Sequence, residues 1–283
     1  MAYRHTIAVL AEGRVMVDSG PMRLVIQAFK DGQPQTEPAR EAAGDALSYL
    51  ERVARLKKTL SIPARRIRKL PDDQIAVRMC RSVLAIGDDD LTPMAAVAGT
   101  IADFVADRLY RQGMTKVVVD NGGDIAVRLR GREAVTIGVR TDIRRPEMSH
   151  IIRLDSRCAS WGITTSGVGG RSFTRGIASA VTTIAGKASV ADAAATAIAN
   201  ACMVEDNRIL QVPAQQLDPN TGIIGIPVTV KVGALSSDKI RLAVQKALRK
   251  AEHLSQNYII AGALIAAGEN VATTANMQEF LTA

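Results

Sequence analysis

Short apolar and β-branched segments predict antiparallel strands at the start of the chain. Segments at residues 6–10, 14–18 and 23–29 are separated by Gly, Pro and Asp residues typical of turns. This spacing predicts a β-meander. The same criteria predict further strands at residues 117–119, 125–129, 134–139, 150–154, 178–184 and 227–232.

Longer segments carry apolar residues at helical spacing or are rich in alanine. We predict helices at residues 37–58, 73–84, 92–111, 189–201 and 237–254. Thr92-Pro93 suggests an N-cap followed by proline at the first helical position, and Ser237 is expected to cap the last helix. Meanders and long helices without regular strand-helix alternation predict the α+β class. We expect a single domain over residues 1–283.

Composition supports a folded core and disfavours one class of partner. Hydrophobic residues make up 47% of the 283 residues, which is enough for a buried core. Aromatic residues make up only 3%, so the core must consist mainly of aliphatic side chains. Because stacking on aromatic rings is a main source of single-strand binding, specific nucleic-acid recognition is not expected.

The chain is basic, with a formal net charge of +8, and much of the excess lies in short runs. These runs occupy residues 55–58, 65–69 and 249–250. They are consistent with a solvated basic surface or with attraction of an anionic ligand or an acidic surface, and the sequence leaves both open.

Cysteine use and hydropathy predict a cytoplasmic protein with no membrane association. Cys80, Cys158 and Cys202 are odd in number and lack paired or metal-binding spacing, which favours a reducing compartment. We expect Cys158 and Cys202 to be buried. The N-terminus lacks a sustained apolar segment, and no window reaches the roughly 20 apolar residues of a membrane helix. Because the edges of the meander need covering, we also expect a homodimer.

Asp192 and Thr196 are the first candidates for chemistry. They are four residues apart in the alanine-rich helix, so they lie on one helix face and could bind one hard cation such as Mg²⁺. The surrounding alanines leave room for a ligand. An alternative is structural, since we expect Asp192 in the first helical turn, where acids are favoured, and Thr196 could be a tolerated polar residue.

Two glycine-containing segments precede this pair. The first consists of Asn121, Gly122, Gly123 and Asp124 and follows a buried strand. It is consistent with an Asn-Gly hairpin turn or with a phosphate or ribose contact. The sequence contains no dinucleotide-binding glycine fingerprint at this point.

The second segment, residues 164–176, is polar and includes the turn Thr165-Ser166-Gly167. Its Arg171 and Arg175 lie beside glycines whose amides could help to hold an anion. A flexible loop is the alternative. The segment has no P-loop lysine, and no catalytic triad can be argued from the three scattered histidines.

The order of these motifs resembles the ApbE superfamily, whose members are Mg²⁺-dependent flavin transferases that move FMN from FAD onto protein threonines. The motif-bearing core covers about residues 92–202 and is similar to that of cytosolic ApbE-like proteins. The resemblance implies T-fold-like antiparallel sheets packed with helices. It also implies metal ligands at Asp192, Thr196 and a backbone carbonyl near Ala98 or Gly99. The nucleotide contacts implied are Gly122, Gly123, Asp124, Thr165, Ser166 and Gly167, and Asn121 joins them as a cofactor-binding candidate.

Two family motifs are absent from their usual positions. These are a lysine-glycine pair before the Gly-Gly-Asp turn and a His-Ile-Ile-Asp-Pro-x-Thr-Gly segment after the Thr-Ser-Gly turn. A related sequence, Asp218-Pro219-Asn220-Thr221-Gly222, occurs much later than the family order predicts.

Three hypotheses follow. The first is a Mg²⁺-dependent flavin transferase, or a related hydrolase, that acts on a nucleotide-like or small anionic substrate. Its catalytic candidates are Asp192, Arg171 and Arg175, and its expected cofactors are Mg²⁺ and FAD. The second is a non-catalytic module that binds an anionic metabolite or cofactor on the same scaffold. The third, nucleic-acid binding, rests on charge alone.

Overall fold

A computed structural model describes residues 4–142, 146–170 and 172–282. In this part of the chain, ten antiparallel strands form the main sheet, in the order β1-β2-β3-β5-β6-β9-β10-β13-β14 with β4 paired to β3. Its strands are β1 (His5–Val9), β2 (Val15–Ser19), β3 (Met22–Lys30), β4 (Gln33–Pro34), β5 (Lys116–Asp120), β6 (Asp124–Leu129), β9 (Ser160–Ser166), β10 (Ala180–Ala185), β13 (Gly262–Ala267) and β14 (Asn270–Thr273).

Two smaller sheets accompany the main sheet. One contains β7 (Ala134–Val139) and β8 (His150–Asp155), with β15 (Leu281–Thr282) at the far edge of β8. The other pairs β11 (Ile209–Pro213) with β12 (Pro227–Val232).

Helices cover the main sheet and pack against one another. They are α1 (Thr36–Arg55), α2 (Lys57–Leu60), α3 (Gln74–Ile86), α4 (Val97–Arg111), α5 (Ala188–Ala201) and α6 (Ser237–Gln256). The alanine-rich α5 is buried on nearly all sides and contacts β9, β10, α3, α4 and α6. Because alanine side chains are small, these neighbours approach the α5 backbone closely.

The α+β class is confirmed, with 38% of the described residues helical and 29% in strands, and so are the antiparallel sheets packed with helices. Several local predictions need correction. The predicted helix 37–58 is divided into α1 and α2, and residues 93–96 form a 3₁₀ turn before α4. Ser236, not Ser237, occupies the N-cap of α6 and makes no side-chain cap bond. Sequence patterns missed β9, β11, β13 and β14.

Three corrections concern candidate residues. Thr165 and Ser166 lie in β9, where they pair with β10, and not in a turn. The hydroxyl of Thr165 also forms a hydrogen bond with that of Thr182 across the two strands, at 2.8 Å. Asp192 lies in the second turn of α5, since this helix already begins at Ala188. Cys158 is exposed, because it occupies the tight turn between β8 and β9.

Among the described helices, none is both long and apolar enough to cross a membrane.

Candidate functional site

Two glycines allow α5 to pack closely against its neighbours. A Cβ atom at Gly99 in α4 would lie 2.3 Å from the carbonyl oxygen of Ala188, and one at Gly162 in β9 would lie 2.2 Å from the Ala188 nitrogen. Neither backbone could accommodate a side chain at these distances. The start of α5 is therefore held between α4 and β9, which brings Asp192 to the first turn of α4.

Asp192 is a buried carboxyl group bonded to the start of α4. It is 7% exposed, and its Oδ2 accepts a hydrogen bond from the Gly99 N–H at 3.0 Å. A further backbone bond involves Ala98. Burial raises the pKa of Asp192 to about 7, and the negative charge of Asp103 acts in the same direction, although the backbone N–H groups oppose both effects. A nearby cation would favour the ionised form.

Asn121 connects the β5–β6 turn to the same part of α4. Its side-chain amide donates to the carbonyl oxygen of Ala98 at 3.2 Å. The turn itself is a hairpin in which Gly122 and Gly123 have φ angles of 71° and 103°. Glycine is favoured at such angles. The Gly123 N–H donates to the Asp120 carboxylate at 2.8 Å. The geometry of the hairpin therefore explains why glycine occupies positions 122 and 123.

A cavity of about 410 Å³ opens beside Asp192. Its polar lining includes Asn121, Arg175, Asp192 and Thr196. Apolar side chains from α1, the 3₁₀ turn before α4 and the start of α4 form another part of the wall, namely Leu50, Val53, Ala54, Met94, Ala95, Val97, Ala98 and Ile101. The size suits a small-molecule ligand.

Arg175 is positioned by its backbone. Its N–H donates to Oδ1 of Asn200 at 2.9 Å, and its carbonyl accepts from Gln211 at 2.8 Å and from Thr229 at 3.0 Å. Its guanidinium lies 3.7 Å from the carboxylate of Asp90, which also lines the cavity. The cavity lining therefore includes a cation with a fixed backbone, together with Asp192 and Thr196.

The other sequence candidates lie nearby but not in the described lining of the cavity. They are Gly122, Gly123, Asp124, Thr165, Ser166 and Gly167. Asp124 of β6 pairs with Thr164 of β9, so the two glycine segments lie next to each other where these internal strands of the main sheet are paired. Gly167 allows close packing, since a Cβ there would lie 2.4 Å from the Ser179 carbonyl oxygen. Arg171 lies outside the described residues.

Sequence analysis missed part of the cavity wall. Asp218, Thr221 and Gly222 line the cavity, although their segment is remote in sequence from the motif-bearing core. The Asp-Pro-x-Thr-Gly pattern could have identified this segment as part of the site, but it occurs later in the chain than the family order predicts. Asn200 also lines the cavity, and its position four residues after Thr196 extends the Asp192 and Thr196 face of α5.

Comparison with known proteins finds curated archaeal relatives named UPF0280 proteins. The protein from Methanopyrus kandleri is 38% identical over 148 residues, which is 52% of this chain and 56% of the relative. The protein from Archaeoglobus fulgidus is 38% identical over 130 residues, or 45% and 50% of the two chains. The chain thus spans about half the length of these relatives.

Solved ApbE structures share the fold. The flavinyl transferase ApbE of Pseudomonas stutzeri aligns with a TM-score of 0.52 and 14% identity, over 100% of this chain and 99% of that one. The ApbE protein of Thermotoga maritima gives 0.52 and 15%, over 99% and 100%.

A family model described as AbpE bacteria matches residues 7–273, nearly the whole chain. The expected resemblance is therefore confirmed. The chain belongs to the AbpE bacteria family, within the ApbE-like superfamily.

Proposed function

We propose that this protein is a Mg²⁺-dependent flavin transferase that uses FAD as its donor. The observation that carries the proposal is the buried Asp192, which shares a cavity lining with Thr196, Arg175 and Ala98. The ApbE-like fold supports the same class, because the neighbouring solved structures are named flavin transferases.

The side chains at Asp192 fit a hard cation. The Asp192 carboxylate, the Thr196 hydroxyl and the Ala98 carbonyl would hold it, and all three are oxygen donors of the kind Mg²⁺ prefers. The described residues contain no cluster of three His, Cys, Asp or Glu side chains, so neutral oxygens would have to complete the site. When bound there, Mg²⁺ would neutralise charge on phosphate oxygens.

The cavity offers complementary surfaces to a dinucleotide. Its apolar wall, which includes Leu50 of α1 and Met94 of the 3₁₀ turn before α4, can cover a ring system, whereas Arg175 can pair with a phosphate. These residues would bind and orient the donor and keep water away from it.

The proposed reaction transfers the FMN portion of FAD to a hydroxyl group of an acceptor protein. A phosphate–oxygen bond forms to the acceptor, the phosphoanhydride bond of FAD breaks, and AMP leaves. The proton of the acceptor hydroxyl passes to solvent. With water in place of the acceptor, the same bond cleavage would give FMN and AMP.

The test is to incubate the full chain with FAD, with and without Mg²⁺, and to measure AMP and FMN by chromatography. We expect Mg²⁺-dependent AMP release that Asp192→Asn and Thr196→Val abolish. The matched control is Asp238→Asn, which removes a carboxylate that is 90% exposed on α6 and should leave turnover unchanged. FAD binding without AMP or FMN formation would overturn the transferase proposal and support a binding module.

A further inference from the structure

A second cavity, of about 450 Å³, lies between α3, α4 and the start of α5. It shares no described lining residue with the cavity at Asp192. Its lining includes four cationic side chains, Arg78, Arg81, Arg111 and Lys187, and no described carboxylate. The proposed transferase reaction makes no use of it.

Helical spacing produces this concentration of charge. Gln74, Val77, Arg78, Arg81 and Ser82 form one face of α3. On α4, Phe104 and Arg111 are seven residues apart and therefore share a face. Lys187 immediately precedes α5, whose first turn carries partial positive charge.

The positive charge of this cavity is only partly neutralised. Asp107 lies 2.8 Å from Arg78, 2.8 Å from the buried Arg128 and 3.9 Å from Lys187, so three cations share one carboxylate. The other nearby carboxylate, Asp103, is committed to Arg128 and to the first two N–H groups of α5.

Two arginines are left for a ligand. Among the described residues, Arg81 and Arg111 make no ion pair. Burial lowers the pKa of Lys187, and the positive charge of Arg128 acts in the same direction, although the carboxylates of Asp107 and Asp103 oppose both effects. An anion in the cavity would relieve the mutual repulsion of these groups.

A buried hydroxyl adds a polar group that lacks a partner. Ser189 lines the cavity and is 1% exposed, and its Oγ has no hydrogen-bond partner in the described part of the chain. Such a group ordinarily costs stability unless it is paired. A ligand with acceptor oxygens would supply that partner.

We propose that this second cavity binds the phosphate group of a small phosphorylated molecule. Guanidinium groups suit phosphate because they donate in a planar, bidentate arrangement. The volume of about 450 Å³ fits a small molecule.

Calorimetric titration of the full chain with inorganic phosphate and then pyrophosphate, at constant ionic strength, tests the proposal. We expect saturable binding that weakens by about tenfold or more in the double variant Arg81→Gln/Arg111→Gln. The matched control, Arg241→Gln/Arg249→Gln, removes the same charge from α6 and should bind as the wild type does. Ser189→Ala should weaken binding without altering the net charge.

Arg175→Gln distinguishes the two cavities. If it abolished phosphate binding while the α3/α4 double variant bound normally, the ligand would belong to the Asp192 cavity and the proposal would be wrong. Equal weakening in the α6 control, or no binding by the wild type at millimolar phosphate and pyrophosphate, would also overturn it. Circular dichroism of each variant checks that it folds.

Discussion

Asp192→Asn should change how the stability of the metal-free protein depends on pH. The ordinary pKa of aspartate is 3.8, whereas burial raises that of Asp192 to about 7. The folded protein therefore holds a proton that the unfolded chain has already lost at pH 5. Stability linked to this proton is fully present below pH 3.8 and is lost as the pH rises through about 7.

The size of the pKa shift of Asp192 determines how much stability is lost as the pH rises. One pKa unit corresponds to about 1.4 kcal/mol, so ionising the buried carboxyl costs about 4 kcal/mol in total. Part of that cost already applies at pH 5, which leaves a loss of about 2–3 kcal/mol between pH 5 and pH 8. Asparagine does not titrate, so the variant should lack this component.

Guanidinium chloride denaturation in EDTA, at pH 5 and pH 8, measures the free energy of unfolding of the wild type, Asp192→Asn and Asp238→Asn. The free energy of unfolding should fall more steeply with pH in the wild type than in Asp192→Asn, and as steeply in Asp238→Asn as in the wild type. Mg²⁺ added at pH 8 should raise the denaturation midpoint of the wild type and of Asp238→Asn, but not that of Asp192→Asn. Equal pH dependence in the wild type and Asp192→Asn would refute the argument that burial raises this pKa.

Three further changes probe the scaffold. Gly99→Ala should lower the free energy of unfolding by about 1–3 kcal/mol, because the added Cβ would meet the α5 backbone. Gly44→Ala, in open space on α1, should raise the free energy of unfolding by up to about 1 kcal/mol. Denaturant titration compares the two variants. Asp103→Asn should cost about 3 kcal/mol or more in the same assay, because Asp103 is 0% exposed and its partner Arg128 only 2%. Native protein should react with a thiol reagent at the exposed Cys158 alone, and reaction at all three cysteines before unfolding would contradict the burial of the other two.

Local patterns predicted most of the secondary structure because the apolar periodicity of the meander and of α1, α3 and α4 is clear. They failed at β9 and β13. Both are internal strands that are buried along most of their length, so they lack the polar alternation of a half-exposed strand. Cross-strand threonine pairs stabilise β9, and a single segment does not reveal its partner.

The candidate site could be predicted only in part. Helical spacing on α5 pointed to Asp192 and Thr196, and both line the same cavity. Sequence alone could not place Asp218 and Thr221 beside Asp192 and Thr196, because only the tertiary fold brings these distant parts of the chain together. It also could not find the cationic cavity, since α3, α4 and α5 each contribute only part of its lining.

The central claim is that Asp192, Thr196 and the Ala98 carbonyl form a divalent cation site. The most direct measurement is anomalous diffraction from crystals of the full chain soaked in Mn²⁺, with Asp192→Asn crystals as the control. We predict a strong anomalous peak beside Asp192 and Thr196 in the wild type, which the variant loses. Mn²⁺ bound only elsewhere, or equally in both crystals, would contradict the account.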